Sequence, residues 1–116
     1  MTPDELKARA KPLGLEIIGL VGTLPHQAAA DVIGRQMLRS GTAVGAHYRA
    51  ACRAQSQADF VSKLSRAEEE ADETSYWLEL LDESGLVKSE RLSRLLTEID
   101  ELVAILTASR KTAMGR

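Results

Sequence analysis

Four stretches of this 116-residue chain carry apolar residues at every third or fourth position, and that spacing leaves little choice of fold. Leu6, Ala10, Leu13, Ile17, Leu20 and Leu24 make the first, and Val32, Ile33, Met37, Val44, Tyr48 and Cys52 the second. Phe60, Leu64, Ala67, Ala71, Leu78 and Leu81 make the third, and Leu92, Leu95, Leu96, Ile99, Leu102, Val103 and Leu106 the fourth. At 3.6 residues per turn each set falls on one side of a helix, and such a stripe is stable only against other stripes. One Phe, one Trp and two Tyr are the only aromatic residues, so the shared core must be aliphatic and alanine-rich, which suits helices better than strands. The length allows one domain with a real core and is too short for two.

Local signals set the helix ends. Thr2 is suited to cap the first helix, with Pro3 at its first position and Asp4 and Glu5 near the positive end of its dipole. Pro12 lies inside that run and removes a backbone donor, which predicts a kink or a split there. Pro25 ends the first run, Ser56 caps the third helix, Ser84-Gly85 stops it, and the fourth starts near Ser89. The helices are therefore expected at about 3–23, 26–53, 56–84 and 89–112, all within one domain spanning 1–116. Short connections between amphipathic helices predict an all-α, antiparallel up-down-up-down four-helix bundle.

Gly34, Gly41 and Gly45 interrupt the second run, and each costs roughly 1 kcal/mol against alanine inside a helix. Gly41 and Gly45 share a face, so close packing against another helix or another subunit is the expected return. A phosphate-cradling loop is the rival reading of Gly-Thr-Ala-Val-Gly, but no strand signal precedes it and the required lysine is missing.

The chemistry of enzymes finds few residues to use. Helix-bundle metal enzymes supply Glu-x-x-His pairs, whereas His26 and His47 follow Thr23 and Val44 at that spacing. The acidic run Glu68 to Glu73 reads as a solvated or salt-bridged face rather than a cation site. Cys52, the single cysteine, reads as a small hydrophobe on the inner face of the second helix. Tyr76 and Trp77 suit a helix or subunit interface better than a platform for bases. No catalytic, metal-binding or cofactor-binding residue is expected, and the chain is read as non-enzymatic. With one cysteine, no signal segment and no long apolar run, the expected address is the cytoplasm, away from membranes.

A net charge of −2 gives nucleic acid no global attraction, so any attraction must be local. Arg35, Arg39, Arg49 and Arg53 share one narrow stripe of the second helix. Antiparallel registry sets Arg35 and Arg39 opposite acids of the third helix, within reach of Glu69, Asp72, Glu73 or Glu79. Arg49 and Arg53 face Val61 and Gln57, where only Asp59 is acidic. The same registry gathers Lys7, Arg9, Lys11, Arg49, Arg53, Lys63, Arg66, Arg110, Lys111 and Arg116 at one end of the bundle against Asp4, Glu5 and Asp59. The other end keeps five basic and fourteen acidic residues, so the bundle is expected to be bipolar.

From Gln36 to Leu81 the sequence resembles the large-subunit rRNA intervening-sequence proteins. The resemblance rests on Arg39-Ser40-Gly41-Thr42, Val44-Gly45-Ala46, Tyr48-Arg49, Asp59-Phe60, Lys63-Leu64, and Glu69-Glu70-Ala71 through Tyr76-Trp77-Leu78. His47 stands where that family usually has Asn. The resemblance implies a four-helix protomer that assembles into a homopentameric ring, with a role in nucleic-acid interaction. Some relatives are encoded within rRNA genes, and others are accessory proteins of diversity-generating retroelements that partner a reverse transcriptase.

A closed ring puts every basic end on the same face. Weak, sequence-nonspecific binding of RNA or DNA is then expected through Arg49, Arg53, Lys63, Arg66, Arg110 and Lys111, with Gly41, Gly45, Tyr76 and Trp77 serving close packing or the subunit interface. The alternative expectation is a scaffold or accessory subunit whose acidic face docks a basic protein partner such as a reverse transcriptase.

Overall fold

The computed structural model describes residues 1–115 and contains four helices, α1 (Pro3–Val21), α2 (Ala28–Cys52), α3 (Gln57–Glu83) and α4 (Glu90–Ala113). Among the described residues no other regular element is present. The bundle is 44 Å long and 20 Å across in both other directions. Each helix packs against its chain neighbours and α4 returns to α1, the thinnest of the four seams.

The caps explain where the helices start. The Thr2 hydroxyl accepts from the Glu5 N–H while the Glu5 carboxylate accepts from the Thr2 N–H, a reciprocal box. Ser56 and Ser89 accept from the N–H groups of Asp59 and Leu92. Gly85, at φ +74°, takes the left-handed conformation that ends α3. Helix α1 runs on through Pro12 without a break, so the expected split does not occur. Pro12 and Ala8 both lie on the exposed side, where water can take the carbonyl that proline leaves without a partner.

The core is aliphatic. Leu13, Ile17, Leu20, Met37, Val44, Leu64, Leu78, Leu81, Leu92, Ile99, Leu102 and Leu106 are its largest fully buried side chains. The second run departs from expectation at Val32, which is exposed, and at Cys52, which is only half-buried on the core's edge. Two polar contacts cross the helix seams, the first buried and the second part-buried. The Thr74 hydroxyl donates to Ser40 Oγ at 2.8 Å, tying α3 to α2, and the Ser75 hydroxyl donates to Asp100 at 2.9 Å, tying α3 to α4.

Candidate nucleic-acid interface

The end of the bundle that gathers positive charge is fixed by contacts between elements distant in sequence. Gln57 Nε2 donates to the Ala113 carbonyl at 2.7 Å, so the start of α3 meets the end of α4. Pro3 and Lys7 share a pocket with Cys52, Gln55 and Gln57, so the start of α1 lies at the same end. Arg116 lies outside the described residues.

Arg49 and Arg53 are one turn apart on the exposed side of α2, where they border two grooves. One, between α2 and α3, is lined by Ala46, Arg49, Ala50, Arg53 and Lys63. The other, between α1 and α2, sets the same two arginines opposite Lys7 and Lys11. Among the described residues no acidic side chain lines either groove. Neither arginine makes an ion pair among the described residues, nor do Lys7, Lys11, Arg66 and Lys111.

Other basic residues counted toward this end are neutralised. Arg9 binds Glu98 through both Nε, at 2.9 Å, and Nη2, and reaches Glu101 at 3.4 Å. Lys63 pairs with Asp59, one turn earlier on α3, at 2.9 Å. Arg110 Nε meets Glu68 at 2.5 Å, with Thr107 donating to the same carboxylate. Arg110 therefore belongs to the acidic α3/α4 groove with Glu68, Glu69 and Asp72, on a different side from Arg49 and Arg53. The six residues expected to bind nucleic acid thus do not form one patch. Arg49, Arg53 and Lys63 share a groove, Lys63 keeps a carboxylate beside it, and Arg110 is occupied.

Away from that end, Arg39 meets Glu70 at 3.1 Å and also pairs with Glu73, as antiparallel registry requires. Arg35, expected to do the same, makes no ion pair among the described residues. Of the acids expected near it, Glu73 pairs with Arg39, while Glu69 and Asp72 line the groove between α3 and α4.

A family model described as 23S rRNA-intervening sequence protein matches residues 5–108. The chain belongs to that family. Membership of the 23S rRNA-intervening sequence protein family thus extends well beyond the central segment that carries the resemblance in sequence. A solved structure from Bacteroides thetaiotaomicron, a protein of unknown function from the S23 ribosomal protein family, is 35% identical with a TM-score of 0.86. The alignment covers 96% of this chain and 99% of that one. A search of curated proteins returned no match.

Of the remaining candidates, Gly41 serves the protomer's own packing most directly. A Cβ at Gly41 would lie 2.9 Å from Ile17 Cγ1, so glycine lets α1 and α2 approach closely there. At Gly45 the nearest atom, Ala10 Cβ, would be 3.6 Å away, an ordinary contact. Trp77 Nε1 donates to Glu73 at 3.0 Å and the indole meets Tyr76 edge-on, centroids 5.3 Å apart. Tyr76 itself is 53% exposed. His47 is half-buried. Among the described residues no group of three His, Cys, Asp or Glu is placed to hold a metal, and no helix is long and apolar enough to cross a membrane.

Sequence reasoning missed one feature. Lys7, Lys11, Leu15 and Ile18 form a second stripe on α1 and reach the groove that Arg49 and Arg53 border. Their spacing of four, four and three is legible in the sequence, but it lies off the core face of α1, so core periodicity does not reveal it.

Proposed function

We propose that this protein binds the phosphate backbone of RNA or DNA, weakly and without reading sequence, through the unpaired cations of one bundle end. The carrying observation is that Arg49 and Arg53 border two grooves whose linings, among the described residues, include Lys7, Lys11 and Lys63 and no carboxylate, while Arg9, Arg39 and Arg110 are each held by acids. Guanidinium and ammonium groups displace counterions from phosphates, and an interface that meets only phosphates carries no sequence information. Arg49 and Arg53 lead this site, Arg66, Lys7, Lys11 and Lys111 extend it, and Lys63 contributes less because of Asp59.

A single protomer offers too few free cations for strong binding, so the reading includes assembly into a closed ring with all basic ends on one face. Family resemblance makes the pentamer the expected ring, and light scattering on the purified protein measures it. Binding of a labelled single-stranded RNA at low salt tests the site. The Arg49→Ala/Arg53→Ala variant is expected to lose roughly tenfold in affinity, and a change of RNA sequence less than about twofold. No affinity at low salt, or none lost in the variant, overturns the reading.

A second reading is favoured by Tyr76, exposed on the same α3 stripe as Glu69, Asp72 and Glu79. That stripe suits a basic protein partner, a reverse transcriptase among them, and makes the chain an accessory subunit. Retention of such a partner by the native protein and its loss in Tyr76→Ala distinguishes this role.

A further inference from the structure

The groove between α1 and α2 has features that a phosphate site does not need. Ala10 and Gly14 on α1 and Gly45 on α2 form its floor, so no large side chain blocks close approach. Leu15 and Ile18 line it at 61% and 51% exposure, two of the few large aliphatic side chains left in solvent. Lys7, Lys11, Arg49 and Arg53 also line it. The groove holds about 600 Å³. From Lys7 to Ile18, α1 rises about 16 Å at 1.5 Å per residue, about three turns of a helix laid alongside.

We infer that this groove docks an acidic amphipathic helix of about three turns from a partner protein. The occupant is fixed by charge and shape together. Four cations with no acid among them exclude a basic or neutral partner, because desolvating unpaired charge is costly. The aliphatic side chains ask for apolar anchors at a spacing of three and four residues, which a helix provides and a phosphate chain does not. Leucine-like anchors seat against Leu15 and Ile18 over the small floor, and carboxylates flanking that stripe meet Lys7, Lys11, Arg49 and Arg53. This goes beyond the proposed nucleic-acid reading and shares four of its residues, so a docked helix and a nucleic acid compete for Lys7, Lys11, Arg49 and Arg53.

The probe is a fluorescein-labelled synthetic peptide of about fourteen residues with leucines at helical spacing and glutamates on both flanks, beside a scrambled peptide of the same composition. The full-length protein is expected to bind the patterned peptide at least about tenfold more tightly than the scrambled one. Leu15→Ser/Ile18→Ser, both at exposed positions and without change of charge, should lose about tenfold or more for the peptide and keep its RNA affinity within about threefold. Lys7→Glu/Lys11→Glu should also lose the peptide, whereas Arg66→Ala should weaken RNA alone. Equal binding of the two peptides, or peptide binding unchanged in Leu15→Ser/Ile18→Ser, overturns the inference whatever happens with RNA. A fall in oligomer size in that variant, read by light scattering, also overturns it, by showing the groove to be an interface between copies of this chain.

Discussion

Gly41 and Gly45 stand one turn apart on α2, yet the structure gives them different roles. A methyl group at Gly41 would press on the branched stem of Ile17, which is fully buried and has nowhere to move. Gly41→Ala is expected to lower stability by about 1 kcal/mol, as overpacking outweighs the gain in helix propensity. Gly45→Ala meets only ordinary contacts and should raise stability by about 0.5–1 kcal/mol. Urea denaturation of both variants checks the contrast. Sequence spacing showed that these glycines share a face, but which one is crowded depends on the partner helix.

Glu68 carries a second prediction at this scale. Hydrogen bonding from Arg110 holds its carboxyl below the ordinary value of 4.5, against the opposing effect of partial burial. The Arg39 and Trp77 contacts do the same for Glu73, with the indole N–H contributing most, and Lys63 does so for Asp59. A folded-state carboxyl that releases its proton more readily than the unfolded one stabilises the fold fully above the unfolded value, and this is lost as pH falls through the folded one. Stability should therefore fall below about pH 4.5, and Glu68→Gln should flatten that fall in thermal melts at stepped pH.

At the scale of the helices, caps and stripes were readable because they are local. Thr2, Ser56 and Ser89 act within one turn of themselves, and a leucine period survives any choice of partner. Pairings across the thin α1/α4 seam were not readable, since nothing near Arg9 in sequence points to Glu98. Nor was the unbroken course of α1, which depends on Pro12 falling on the exposed side. Pro12→Ala restores a donor to the Ala8 carbonyl and should raise stability by roughly 1–3 kcal/mol, measured by thermal or chemical denaturation.

At the scale of the whole molecule, antiparallel topology turns a nearly neutral chain into one with a cationic end. Formal counting overstates that end, because Glu98, Glu101, Glu68 and Asp59 each reach a cation assigned to it. What survives is narrower and sharper: two arginines bordering two grooves without a carboxylate in either lining. Their stripe was legible in the sequence, but their freedom from partners was not, because it depends on where α3 and α4 turn their acids.

The most direct test is the salt dependence of RNA binding, measured by fluorescence anisotropy for the native protein, for Arg39→Ala and for Arg49→Ala/Arg53→Ala. The account predicts that affinity falls steeply with salt in the native protein. It predicts little change of slope in Arg39→Ala, whose guanidinium is already held by Glu70 and Glu73, and a slope shallower by about 1–2 per protomer engaged in the double variant. Identical slopes in all three proteins, or a loss confined to Arg39→Ala, would contradict it.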